Sequence, residues 1–201
     1  LVIDPRDPKV LYAATWQRHR TVAAYVGGGP ESGIHKSIDG GETWTRLSKG
    51  LPGDPSRKVD PESEKTSLRP PAKPIDDGNM GKIGLALSPQ NPDVLYAAIE
   101  LNSRKGAVFR STDRGASWEQ RSETVAGGTG PHYYQELYAS PHAEGRIYLA
   151  DVRMRVSDDG GKTFRIMDEA FKHSDNHSLT FREDDPDYLL VGTDGGLYES
   201  F

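Results

Sequence analysis

The sequence has no cysteine, which excludes disulfides and thiolate metal sites but leaves the compartment open. It has no apolar run near the ~20 residues that a membrane-spanning helix needs. It also has no basic block or stripe of the kind that tracks a nucleic-acid backbone, and its net charge is −5. Nucleic acid is therefore not an expected partner, and no membrane span is expected in this segment. What the chain does have is turn chemistry. It carries 22 Gly and 14 Pro in 201 residues, with 34% hydrophobic and 27% charged residues. That mixture suits many short strands better than long helices, and the length suffices for a core.

Two motifs alternate along the chain. "DPRDPKVLYAA" (4–14), "SPQNPDVLYAA" (88–98), "SPHAEGRIYLA" (140–150) and "EDDPDYLLVG" (183–192) each give a polar turn followed by an apolar strand. Between them stand "SIDGGETW" (37–44), "STDRGASW" (111–118) and "SDDGGKTF" (157–164). Asp113 and Asp159 lie 46 residues apart, whereas Asp39 and Asp113 lie 74 apart. A period in the forties with about four strands per unit is the pattern of propeller blades, and the longer gap marks an insertion.

The expected fold is all-β: a β-propeller fragment of about three to four four-stranded antiparallel blades. The expected division is blade 1 over 1–47, a Pro- and charge-rich insertion over 48–81, blade 2 over 82–122, blade 3 over 133–167 and a partial blade 4 over 177–201. The chain opens at Leu1 without Met or a signal peptide and stops mid-pattern at Phe201, so a piece of a longer protein is expected, with further blades as partners. Pro52–Asp77 reads as an extended insertion without a core of its own.

The recurring octapeptide is expected to fasten blades rather than to bind. Asp39, Asp113 and Asp159 can accept hydrogen bonds from their own turns. Gly41, Gly115 and Gly161 supply backbone conformations costly for other residues. Trp44, Trp118 and Phe164 are expected to plug the space between sheets, and Ser37, Ser111 and Ser157 to tie the turn down. The alternating Asp and late Glu of an EF-hand loop are missing, and no complete P-loop is present, so no metal or cofactor is expected.

The three octapeptides resemble the Asp-box of bacterial-neuraminidase-type (BNR) repeats, Ser/Thr-x-Asp-x-Gly-x-Thr-Trp/Phe. With "SGIHKSIDGGETWTRLSKGLP" (32–52) and "DNHSLTFREDDPDYLLVGTDGGLYES" (175–200), the chain resembles bacterial sortilin-type, glycosyl-hydrolase-like BNR propeller proteins over nearly its whole length. That resemblance implies a large exported protein, extracellular or periplasmic. It bears on fold more than on activity, because sialidases, xyloglucanases, sortilin-type receptors and photosystem assembly factors share the motif.

Hairpin parity says where to look for function. The Pro turns join strands one and two and the Asp turns join three and four, so both share one face, here called the bottom. The remaining loops share the top face, where binding groups are expected. "KHSDNHS" (172–178) brings His173, Asp175, Asn176 and His177 to an inner strand. "GPHYYQE" (130–136) brings His132, Tyr133 and Tyr134 to the next, and Arg18, His19 and Arg20 form a small positive patch. Two functions follow. One is a non-catalytic module holding a protein, peptide or glycan through His132, Tyr133, His173, Asn176, His177, Arg18, His19 and Arg20. The alternative is a glycoside hydrolase using a pair from Asp175, Asp194 and Asp151, whose carboxylates would have to stand about 5 Å or roughly 6.5–9.5 Å apart. No Arg-Ile-Pro signature of the sialidases is present.

Overall fold

A computed structural model describes residues 1–23, 25–54, 56, 79–101, 105–124 and 134–200. His132, Tyr133 and most of Pro52–Asp77 lie outside the described residues. Every regular element among the described residues is a β-strand. The first sheet joins Val2–Ile3 (β1), Leu11–Thr15 (β2), Gly33–Ser37 (β5) and Thr45–Leu47 (β6). A hairpin of His19–Arg20 (β3) and Tyr25–Val26 (β4) extends from the loop between β2 and β5. The second sheet joins Ile83–Leu87 (β7), Leu95–Leu101 (β8), Lys105–Ser111 (β9) and Glu119–Ser122 (β10). The third joins Leu137–Ala139 (β11), Ile147–Leu149 (β12), Arg155–Ser157 (β13) and Arg165–Ile166 (β14). The fourth has three strands, Asn176–Phe181 (β15), Leu189–Thr193 (β16) and Gly196–Ser200 (β17).

One register repeats in all of them. The first residue of each second strand faces the Ser that ends the third: Leu11 with Ser37, Leu95 with Ser111, Ile147 with Ser157, Leu189 with Ser200. The Asp turns follow from that Ser. Ser37 Oγ donates to Asp39 Oδ1 at 2.7 Å and accepts from the Gly41 N–H at 2.8 Å, while Asp39 accepts from the Thr43 N–H at 2.9 Å. The same bonds recur around Asp113 and Asp159. Gly41, Gly115 and Gly161 take φ values of +98°, +81° and +86°, where a Cβ is costly. The donors hold the Asp159 carboxyl at about 2, below the usual carboxylate range, chiefly through the Thr163 N–H.

Each Asp turn is bonded to the Pro turn of its own sheet. The Gly40 N–H donates to Lys9 O, that of Arg114 to Asp93 O and that of Gly160 to Gly145 O. Both turn types therefore share the bottom face. Along the same face the first sheet is tied to the second. Asp4 is fully buried, paired with Arg6 at 2.8 Å and Arg114 at 3.4 Å, and Arg6 also reaches Asp93 at 2.8 Å. The hydrogen bonds from Arg6 hold the Asp4 carboxyl at about 2. A depressed carboxylate stabilises the fold above its unfolded pKa, near 4, and that contribution is lost as pH falls through about 2. Asp4→Asn is expected to cost about 2 kcal/mol at neutral pH and to flatten acid unfolding between those values, as read by urea titrations across pH.

The sheets stack face to face in chain order. Trp118, 6% exposed, joins Tyr12, Ile34 and Leu51 in the core between the first and second sheets. Phe164 packs against the cluster between the second and third, which includes Tyr96, Val108 and Ile147. The aromatic residue of each turn thus points back at the preceding sheet. Trp44 does not act as the expected plug: it is 40% exposed, because no sheet precedes the first among the described residues. Its indole N–H closes its own turn on Gly41 O at 2.9 Å. The ends of the 48–81 insertion are core, with Leu51 and Met80 buried in the first cluster. Blade 3, expected over 133–167, has its first strand begin only at Leu137, since Gln135 takes φ +87° and breaks the extended run before it.

Candidate functional site: the top-face rim

The first strands of successive sheets lie side by side, and the residues that lead into them meet on the top face. Lys82, entering β7, donates to Glu136, entering β11, at 2.6 Å. Tyr138 on β11 donates its hydroxyl to His177 O on β15 at 3.2 Å. Between the third and fourth sheets this rim carries a connected polar chain. The Tyr134 hydroxyl donates to Asp175 Oδ1, and Ser174 Oγ donates to Asp175 Oδ2 at 3.0 Å. The Tyr134 and His177 rings stack at 5.9 Å with an interplanar angle of 16°. His177 Nε2 stands 2.7 Å from Asp194 Oδ1.

The loops that bear these groups are locked by backbone bonds. The Asp175 N–H donates to Val152 O at 2.9 Å and the Asn176 N–H to Asp151 O at 3.1 Å. Asp175 takes φ +63°, a conformation Asp tolerates better than most residues. Of the three non-Gly residues with positive φ among the described residues, Gln135 and Asp175 flank the Tyr134–Asp175 bond, and the third, Arg114, belongs to an Asp turn.

Of the expected site residues, Asp175, His177 and Asp194 are brought together, and Tyr134, which follows the expected Tyr133, joins them. Asn176 and Asp151 are buried fasteners. The Asn176 side chain donates to Asp151 O at 2.9 Å, and the Asp151 carboxylate accepts from the Val152 N–H at 2.7 Å and pairs with Arg155 at 3.0 Å. His173 places Nδ1 2.7 Å from Ser174 O and packs over Gly195. Arg18, His19 and Arg20 stand on the first sheet's hairpin region, with Arg18 over the Trp16 ring at 5.2 Å, and none of them contacts the Tyr134 chain among the described residues.

Sequence reasoning missed Lys82, Glu100 and Glu136. Glu100 lies five positions beyond the start of its second strand, as Asp194 does, so the repeat register itself marks it as a top-face carboxyl. Its Oε2 accepts from the Lys82 N–H at 3.2 Å, and burial pushes its pKa up. Asp175 moves the other way, held low first by the Tyr134 hydroxyl and then by Ser174. Tyr134→Phe is expected to let the Asp175 pKa rise toward its ordinary value of 3.8, measured by carboxyl NMR titration, with about 1 kcal/mol of lost stability. No cluster of metal-binding side chains is present among the described residues, and no helix there is long and apolar enough to cross a membrane.

No protein-family model matches the chain. Over 137 residues, 61% of the chain, it is 28% identical to an oligoxyloglucan-reducing end-specific xyloglucanase of Emericella nidulans. That match spans 17% of the fungal enzyme's length, so the chain covers well under a fifth of this curated relative. Among solved structures, an ancestral GH74 enzyme superposes on 99% of the chain and 22% of its own length, with TM-score 0.59 and 15% identity. YCF48 from Cyanidioschyzon merolae aligns with 99% of the chain and 54% of its own, with TM-score 0.46 and 13% identity. At this identity the GH74 superposition shows the fold alone, and that fold is a β-propeller segment. The chain is thus an all-β propeller segment distantly related in sequence to a xyloglucanase.

Proposed function

We propose that this propeller segment holds a glycan or peptide at its top-face rim without reacting with it, as a module of a larger exported protein. The observation that carries this reading is the condition of the three carboxylates first considered for catalysis. Asp175 is held low by its hydrogen-bond donors, Asp151 is buried against Arg155, and Asp194 is paired with His177. A glycosidase needs one carboxyl kept protonated as an acid and a second one free as base or nucleophile. No raised-pKa acid is visible in this trio, and the carboxylates it holds are engaged by Tyr134, Arg155 and His177. What the rim does offer is a half-exposed His177 ring and an exposed Asp194, fixed by a locked loop, which suits recognition by stacking and hydrogen bonding. The BNR-type resemblance supports an extracellular or periplasmic setting.

The glycoside hydrolase reading keeps one specific support, the distant relation to a xyloglucanase. Among the described residues, Glu100 suits the acid role, because burial raises its pKa. A glycan and peptide array probed with the wild-type chain, Asp175→Ala and His177→Ala tests the binding reading. Binding is expected to be lost in both variants; retention of a confirmed ligand by both overturns it. Release of reducing sugar that disappears in Glu100→Gln favours the hydrolase instead.

A further inference from the structure

Tyr12 and Tyr96 hold one position in the repeat. Each is the second residue of its second strand, and each faces a cation on the third strand: Tyr12 with Lys36, Tyr96 with Arg110. In both pairs the cation lies over the ring, Lys36 Nζ at 5.2 Å and the Arg110 guanidinium at 5.9 Å. Where the first sheet meets the second, one carbonyl of the next Asp turn satisfies both groups. The Tyr12 hydroxyl donates to Arg114 O at 3.2 Å, and Lys36 Nζ donates to the same oxygen at 3.0 Å.

Where the second sheet meets the third, the corresponding carbonyl is that of Gly160, which follows Asp159 as Arg114 follows Asp113. A different donor holds it. Arg121 is the extra residue of a bulge in β10, and its side chain is 9% exposed. Its Nε donates to Gly160 O at 3.2 Å and a terminal nitrogen donates to Asp159 O at 3.3 Å, while Glu119 pairs with the other terminal nitrogen at 3.1 Å. Tyr96 Oη and Arg110 Nε are buried and have no hydrogen-bond partner among the described residues. Tyr96 is 1% exposed, and burial pushes the pKa of its hydroxyl up, so it remains an O–H donor. Both atoms border one spot. A Cβ on Gly160 would stand 3.7 Å from Tyr96 Oη and 3.8 Å from Arg110 Nε, and would meet nothing nearer.

Buried donors in native proteins are paired, and a donor on a guanidinium pairs best with negative charge. We infer that Tyr96 Oη, Arg110 Nε and the notch at Gly160 form a binding site for a small monovalent anion, of chloride size. The anion takes the part that Arg114 O plays for Tyr12 and Lys36. Burial of both donor atoms favours chloride over a bulkier oxyanion. The site belongs to the bottom face, beside an Asp turn, and uses none of the side chains of the top-face rim.

The test is urea unfolding of the chain at neutral pH and constant ionic strength, with sodium chloride replacing sodium isethionate in steps. An ion that binds only the folded state raises the midpoint, and the rise saturates as the site fills. A saturating rise is expected in the wild-type chain and none in Tyr96→Phe, which keeps the ring and removes the O–H. Gly160→Asp sets a carboxylate beside both donors and is also expected to show no chloride response. Arg114 takes φ +59° at the equivalent position, and Asp tolerates that region, so this variant keeps its turn. The chloride NMR line width reads the ion itself, with excess broadening expected in the wild-type chain and lost in both variants. Equal wild-type midpoints in the two salts overturn the inference and leave water as the acceptor. A chloride response that survives in either variant also overturns it, because the ion then lies elsewhere.

Discussion

Gly84→Ala is expected to destabilise the protein by about 3 kcal/mol or more, the upper range for forcing atoms into a filled interior. Gly84 sits in β7, the first strand of the second sheet. A Cβ there would stand 1.6 Å from Gln135 O and 3.2 Å from Leu137 N. Both are backbone atoms of the segment entering the third sheet, so no side-chain rotation relieves the contact. The backbone of Gln135 is itself held, because the Ala150 N–H donates to Glu136 O at 2.9 Å and the Gln135 N–H donates to Ala150 O. The first strands must therefore move apart, and the Tyr134–Asp175 chain on the same segment moves with them. Urea unfolding measures the loss, and a cost below about 1 kcal/mol would mean that the first strands are not in this close contact.

Trp118→Ala is expected to cost about 3–5 kcal/mol, as large-to-small changes of core aromatics do. Trp118 fills the junction of the first two sheets with Tyr12, Leu51 and Met80 around it. Trp44 holds the same place in its own turn but is 40% exposed. Trp44→Ala is expected to cost clearly less than Trp118→Ala, since two-fifths of the Trp44 side chain is already exposed to water. The pair isolates the direction of stacking, because the two residues share one turn motif and differ in whether a sheet lies behind them. Similar losses for both substitutions would contradict that direction.

The same contrast explains what was legible in the sequence. The Asp turns were readable because their chemistry is local: Ser37, Asp39, Gly41 and Thr43 satisfy one another within the turn. The side of the molecule was readable because antiparallel parity leaves no freedom. The burial of Trp44 was not readable, since it depends on a neighbouring sheet rather than on the turn. The site was readable in part. Asp175, His177 and Tyr134 stood out by residue type and by their place before inner strands. Their division of labour was not visible, because only the fold shows Asp151 turned inward to Arg155 and Asp194 turned to His177. Lys82 and Glu136 carry no motif and meet because first strands from neighbouring sheets lie side by side, whereas Glu100, marked only by the repeat register, meets Lys82 within its own sheet. The β3–β4 hairpin escaped because residues 21–24, which join its two short strands, contain none of the Gly, Pro, Asn or Asp that signal a tight turn.

The most direct test of the account is calorimetric titration of a ligand taken from the array into the wild-type chain and into His177→Ala, followed by analysis of the recovered ligand. The account predicts that the ligand returns intact and that His177→Ala weakens binding at least about tenfold, the loss expected for a central stacking contact. Unchanged affinity in His177→Ala, or recovery of the ligand cleaved, would contradict it.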